Sequence, residues 1–190
     1  IPDVVDEIEE ISVKHIIILD DNFFTSGKRM LEFCELIKKR NIKKEFIAIG
    51  NAQFIVQNPD IMVKLRDAGI KAVMVGFEYV TDGELAAVDK DSSVNDNNRT
   101  IDICRELDID LFALFIVNPD WRHADFKRLA GYIKKNKIPF ALFSTLTVFP
   151  GTKLARLSPW SPPDMSKSWR FDLLRLHQKP RHMSAIMYYL

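Results

Sequence analysis

The chain has 190 residues, a formal net charge of +1, 47% hydrophobic residues and 28% charged residues. This fits one globular domain with a sizeable core, or one domain plus an appendage. The near-neutral charge excludes the basic footprint of a nucleic-acid binder, and no apolar run approaches the length of a membrane span. Two widely separated cysteines make no disulfide framework, and no signal peptide opens the sequence, so the expected setting is the reducing cytoplasm.

Residues 2–11 (PDVVDEIEEI) predict a helix, with Pro2 near its start and Val4, Ile8 and Ile11 on one face. The sequence opens on Ile1 rather than Met, directly into this element, and so reads as a piece of a longer protein. Residues 16–24 (IIILDDNFF) predict a strand buried on both faces that ends in two acids and an amide. A helix over 27–40 puts Met30, Phe33, Cys34 and Ile37 on one stripe. FIAIGN (46–51) is the next strand. Asn58-Pro59 then opens a helix over 59–68 that stops at Gly69. AVMVGFE (72–78) is a third strand, followed by a helix over 93–107 that aligns Val94, Ile101, Cys104 and Leu107. LFALFIVNP (111–119) is a fourth. A helix over 123–136 with Phe126, Leu129, Ala130 and Ile133 leads to a fifth strand centred near Phe143, closed by TVFPGTKL (147–154).

This alternation predicts an α/β fold with parallel strands and right-handed crossovers, either a partial (β/α) barrel or a doubly wound sheet. No glycine-rich phosphate loop follows the first strand, which weighs against a nucleotide-binding doubly wound sheet. Residues 1–157 read as one unit. Residues 158–190 begin with SPWSPPD, continue with a helix around 166–177 and read as an appendage.

Apolar runs that end in polar or conformationally special residues suggest one site assembled from several strand ends, where parallel α/β sheets place their ligands. Asp20, Asp21 and Asn22 offer two acceptor carboxylates and an amide that both donates and accepts. Such a set can hold an amino group, a hydroxyl pair or a hard metal. It can also mark a helix start, although Thr25 and Ser26 are available for that task. Glu78 at the end of a buried strand requires a partner or a wet cleft, and Gly76 before it permits close approach. Asn51 and Asn118-Pro119 fit a pocket rim or plain turn chemistry equally well. Cys34 and Cys104 lie on apolar helix faces and read as structural. The four histidines show no metal-ligand spacing.

In their order, EIEEI, IIILDDNF, PDIMVKLRDAGIKAVMVGFE, Leu85 with Asp89-Lys90, LFIVNPDW and LTVFPGTKL resemble the radical S-adenosylmethionine (SAM) enzymes. The resemblance is to the branch that usually carries an upstream cobalamin-binding domain. Pro119, Asp120, Trp121, Asp125, Phe126 and Leu129 are similar to hopanoid methylase-like members. The likeness covers about residues 4–157, and WRFDLLRLHQKP is similar to the segment after the barrel. It implies a partial (β/α) barrel of about five parallel strands, incomplete relative to the (β/α)6 barrel of that superfamily.

It also implies a [4Fe-4S] cluster on a CxxxCxxC motif, reductive cleavage of SAM to a 5′-deoxyadenosyl radical and, in this branch, cobalamin as a methyl carrier. The motif is absent here and in the family would precede Ile1, so the isolated chain is expected to be inert, with no catalytic residue of its own. By resemblance, Asp20, Asp21 and Asn22 meet the methionyl amino group and Glu78 meets SAM. Asn51 belongs to the same rim, and Ile116 and Asn118 lie near the adenine. Asn118 replaces a usual glycine, Tyr79 stands where serine is common, and the arginine often found near position 50 is missing. The implied substrate is a small or lipid-like molecule. If the first barrel strand lies outside this chain, residues 15–19 form an unpaired edge open to association. Two other readings stand beside this one: a cluster-free metal-dependent barrel lyase using the acids as oxygen ligands, and a non-catalytic binding domain on the same scaffold.

Overall fold

A computed structural model describes residues 1–87, 92–147, 151–152, 156 and 181–182. Asp89-Lys90, most of the 147–154 turn and nearly all of the 158–190 appendage lie outside the described residues.

The elements run α1 (Pro2–Glu10), β1 (His15–Ile18), α2 (Gly27–Lys39), β2 (Glu45–Gly50), α3 (Ala52–Gln57), α4 (Pro59–Asp67), β3 (Ile70–Glu78), α5 (Asp82–Ala87), α6 (Val94–Glu106), β4 (Asp110–Val117), α7 (His123–Lys135) and β5 (Phe140–Thr145). The five strands form one parallel sheet in the order β1-β2-β3-β4-β5. A sheet that follows chain order, each strand joined to the next through helix, leaves its helices on one side. The sheet is open, with β1 and β5 at its edges. Among the described residues no strand pairs with the far side of β1.

Burial follows this one-sidedness. Phe46 and Ala48 on β2, Val73, Val75 and Phe77 on β3, and Leu111, Ala113 and Phe115 on β4 are buried under the helices. Met30, Phe33 and Ile37 of α2, Met62 and Leu65 of α4 and Ile101 and Cys104 of α6 meet them. The opposite face is read from the register, which pairs Ile17 with Ile47, Ile49 with Met74, Gly76 with Leu114 and Leu114 with Leu142. This face is apolar and open: Ile17 is 55% exposed, Leu19 85% and Leu142 41%. The expectation of a first strand buried on both faces is therefore corrected. The branched residues are there, but among the described residues helices cover one side alone.

The helix stripes on α2 and α6 are as the periodicity implies. On α1 the buried residues are Val5 and Ile8 rather than a stripe through Val4 and Ile11. Four helices end in one device. Asn41, Gly69, Asp108 and Lys137 each take positive φ just past a helix end. In three of them an isoleucine follows whose N–H reaches back into the last turn: Ile42 to Ile37, Ile109 to Cys104 and Ile138 to Ile133. This left-handed cap satisfies the orphan carbonyls and turns the chain into the next strand. No helix among the described residues is long and apolar enough to cross a membrane.

Candidate functional site at the carboxyl ends of the strands

All five strands end on the same edge, so the loops after β1, β2, β3 and β4 become neighbours. Adjacent strands lie about 4.8 Å apart, so the edge from β1 to β4 runs roughly 15 Å.

The loop after β1 is pinned by its aromatics. Phe23 and Phe24 are buried, and the Phe23 N–H donates to the Ile49 carbonyl at 2.9 Å, extending the β1–β2 pairing. Phe23 packs edge-on against Phe33 with ring centroids 5.2 Å apart, and Phe24 stacks on Phe54 at 5.6 Å. Gly50 is where Phe24 crosses the end of β2: a Cβ there would lie 2.2 Å from the ring. Between strand and aromatics, Asp20, Asp21 and Asn22 form a short exposed or half-buried loop. The Asn22 N–H donates to Asp20 Oδ1 at 3.1 Å. Arg29, in the first turns of α2, stands 3.7 Å from the other Asp20 oxygen. Helix α2 is capped by Ser26, which accepts from the Arg29 N–H, so the acids are not consumed as caps.

Asn51 ends β2 and does two things. Its Oδ1 accepts from the Phe54 N–H at 2.7 Å and caps α3, while its Nδ2 donates to Asn22 Oδ1 at 3.1 Å. The turn reading of this residue therefore holds, and the same side chain ties the end of β2 to the loop after β1.

Glu78 ends β3 in an unusual backbone. Its φ is +60°, and the Tyr79 N–H closes on the Phe77 carbonyl at 2.7 Å, making a three-residue turn centred on Glu78. Such turns with positive φ are rare and strained, and for a non-glycine residue the cost is of order 1–3 kcal/mol. The ladder to β4 also slips here, from Gly76 opposite Leu114 to Glu78 opposite Phe115. Beside it, Tyr79 is buried, and burial together with Glu84 and Glu78 pushes its hydroxyl well above the ordinary value.

The loop after β4 carries Asn118, which behaves first as a turn residue. Its Oδ1 accepts from the Asp120 N–H at 2.9 Å and its carbonyl from the Trp121 N–H at 2.9 Å. Ile116 lies on the open apolar face, in the row of Leu114. The chain returns to this loop at Arg181, whose N–H donates to the Pro119 carbonyl at 3.0 Å and whose guanidinium stands 3.4 Å from Asp120.

Thus Asp20, Asn22 and Asn51 are joined directly. Asp21 shares their loop, and Glu78, Ile116 and Asn118 follow along the same edge. Arg29, Glu84 and Asn97 were not singled out from the sequence. Glu84 accepts from Trp121 Nε1 at 2.8 Å and from the Thr81 hydroxyl at 2.7 Å, linking the loops after β3 and β4. The T-x-x-E spacing of Thr81 and Glu84 is a helix-start signature that marks α5. The short α3 was likewise missed, although Asn51 at its cap is the appropriate residue type.

The arrangement fits a ligand that carries amino and hydroxyl donors and an apolar or aromatic body. Acceptors line the strand ends and an open apolar face lies beside them. It does not fit an iron–sulfur cluster. Cys34 and Cys104 are buried on helix faces, where burial pushes their thiols up to about 11 and about 12, the opposite of a thiolate ligand. Among the described residues no three His, Cys, Asp or Glu gather as a metal site. A cavity of about 780 Å³ at the other end of the sheet, rimmed by Lys38, Lys43, Lys44 and Lys64, shares no residue with this set.

No protein-family model matches the chain. In sequence it is 28% identical over 139 residues to the bacteriochlorophyllide d C-8(2)-methyltransferase of Chlorobaculum tepidum, covering 71% of this chain and 30% of that protein. It is 29% identical over 118 residues to the anaerobic magnesium-protoporphyrin IX monomethyl ester cyclase of Rubrivivax gelatinosus, covering 60% and 21%. The chain thus spans about a fifth to a third of the length of these relatives. In structure it is similar to the radical SAM methyltransferase TsrM of Kitasatospora setae with cobalamin and a [4Fe-4S] cluster bound, at TM-score 0.65 and 17% identity over 80% of this chain and 32% of that one. It is also similar to the cobalamin-dependent SAM radical enzyme OxsB with aqua-cobalamin and SAM bound, at TM-score 0.61 and 17% identity, over 75% and 22%. The parallel half-barrel shares its fold with these cobalamin-dependent radical SAM enzymes, and in sequence the chain is similar to the methyltransferase and the cyclase, in keeping with the resemblance read from the motifs.

Proposed function

We propose that this chain supplies the SAM-binding wall of a radical SAM methyltransferase, and that the whole protein cleaves SAM reductively. The observation that carries this reading is the acceptor row Asp20–Asn22, Asn51 and Glu78 along the mouth of an open apolar face.

In this reading, Asp20, Asp21 and Asn22 take the methionyl ammonium, which needs acceptors and a negative field. Phe23 and Phe24 fix their loop, and the Asn51–Asn22 bond holds it against β2, so little ordering remains to be done on binding. Glu78 accepts from ribose hydroxyls or an amino group. The apolar row through Leu114 and Ile116 receives the adenine and keeps water off one side of it. This chain's cysteines do not fit the cluster, which would have to be held elsewhere in the whole protein and would there supply the electron for cleavage, while cobalamin, where bound, would carry the methyl group. The isolated chain is then inert in cleavage and binds SAM weakly. The substrate is a small or lipid-like molecule, the protein works in the cytoplasm, the appendage at 158–190 follows the barrel, and the free edge of β1 is where another strand adds.

The test is the whole protein carrying Asp21→Ala with Glu78→Ala. The expected result is loss of 5′-deoxyadenosine formation with the fold retained. Undiminished 5′-deoxyadenosine from the double variant would remove these residues from the SAM site.

A further inference from the structure

We infer that Asn97 is the positioning residue for Glu78: from the helix layer it holds the carbonyl on which the Glu78 turn closes. This rests on the reading of Glu78 as a SAM contact.

Of the non-glycine residues at positive φ among those described, Asn41, Asp108 and Lys137 end helices, where this conformation is ordinary. Glu78 alone is at a strand end. Something must hold a left-handed glutamate where the strand would otherwise run on. The Phe77 carbonyl accepts twice there: from the Tyr79 N–H at 2.7 Å, which closes the turn, and from Asn97 Nδ2 at 3.3 Å. The second bond comes from α6, outside the sheet. It draws the carbonyl out of the ladder at the point where the β3–β4 register slips past Phe77.

Asn97 is unsuited to its place on any other account. It is 0% exposed, and among the described residues its Oδ1 has no hydrogen-bond partner. An apolar side chain would fill the same volume without leaving a desolvated oxygen. Buried polar groups are normally satisfied, so an asparagine kept at this cost points to the bond it does make. The donor is also rigidly mounted. Just before it, α6 starts at a capping box between Ser93 and Asp96, and Asp82 Oδ1 accepts from the Val94 N–H. On the same helix-covered face, the buried Phe77 ring packs edge-on against Phe115 at 5.9 Å. The residue before Glu78 is thereby held by its carbonyl and by its ring, which fixes the backbone of the turn before any ligand arrives.

The experiment is a double-mutant cycle in the whole protein, reading the SAM dissociation constant by equilibrium dialysis beside the thermal midpoint. Glu78→Gln is expected to weaken SAM about 10-fold or more, as for a lost bond to a charged group. Asn97→Ala is expected to weaken it about 3- to 10-fold, and to add nothing in the Glu78→Gln background. Asn97→Asp keeps the shape but cannot donate as a carboxylate, and is expected to behave like Asn97→Ala, which guards against a packing defect in either. Thr100→Val, on α6 like Asn97, removes the buried hydroxyl's bond to the Ala52 carbonyl of α3, and is expected to lower the midpoint and leave the dissociation constant unchanged. An unchanged constant for the Asn97 variants beside a weakened Glu78→Gln, or additive effects of the two, overturns the inference alone. An unchanged constant for Glu78→Gln overturns the reading of the site, and the inference with it.

Discussion

Asn51 donates from Nδ2 to Asn22 Oδ1 at 3.1 Å while its Oδ1 caps α3 through the Phe54 N–H. One side chain thus closes a helix and ties the acid loop after β1 to the end of β2. The two tasks separate on substitution. Asn51→Ala loses both and is expected to cost about 1 kcal/mol, the usual value of a lost helix cap. Asn51→Ser keeps an oxygen for the Phe54 N–H but does not span to Asn22. It should regain most of the stability while the loop 20–22 exchanges its amide hydrogens faster than in the parent. Equal loop protection in the serine variant and the parent would show that the Asn22 bond does not order the loop.

Gly50 is required by Phe24. A Cβ 2.2 Å from the ring displaces an aromatic that is 1% exposed and stacked on Phe54. Gly50→Ala is expected to cost about 1–3 kcal/mol, the range for overpacking a core. Gly50→Ala with Phe24→Leu should recover part of that loss, and urea unfolding of the single and double variants checks it. A neutral Gly50→Ala would mean that Phe24 does not hold this position.

Trp121 joins the loops after β3 and β4 through its indole N–H on Glu84. Trp121→Phe keeps the edge-on contacts to Tyr79 and Phe126 but leaves one half-buried carboxylate oxygen without its donor, at an expected cost of about 1–2 kcal/mol. Adding Glu84→Gln should not deepen the loss, because the charge that went unpaired is then absent. Fully additive losses would deny the coupling.

The thiols set a pH dependence. Burial pushes Cys34 up to about 11 and Cys104 up to about 12 from an ordinary 9. Above pH 9 the unfolded chain releases these protons and the folded chain keeps them, so stability falls as pH climbs from 9 towards 11–12. Denaturant midpoints at pH 8 and pH 10.5 should show the decline, with a shallower slope in Cys104→Ala whatever its absolute stability. Neither thiol should react with an aromatic disulfide reagent at pH 8 until the chain is unfolded. Rapid native-state labelling of either would contradict its burial.

The architecture was legible because its signals are local. Branched runs marked the strands, Asn58-Pro59 and Gly69 bounded α4, and the stripe Met30, Phe33, Cys34 and Ile37 is the buried side of α2. The strand-end residues could be named because a parallel sheet brings its carboxyl ends together whatever the details. What escaped was non-local. Period cannot distinguish a strand covered on two faces from one that lines an open face, so the exposure of Ile17 and Leu19 was invisible. Asn97 stands three residues after Val94 and four before Ile101, on the inward stripe of α6, but a polar residue there gives no local sign that it reaches the Phe77 carbonyl. The left-handed turn at Glu78 was hidden for the same reason, since glutamate gives no local sign of positive φ.

The most direct measurement is where SAM touches this chain. Isotopically labelled protein titrated to millimolar SAM, followed by backbone amide shifts, reports weak binding residue by residue. The account predicts shifts gathered at 20–22, 50–51, 76–79 and 116–118. Shifts gathered instead at the lysine-rimmed cavity around Lys38 and Lys64, or none at saturation of the whole protein's own SAM site, would contradict it.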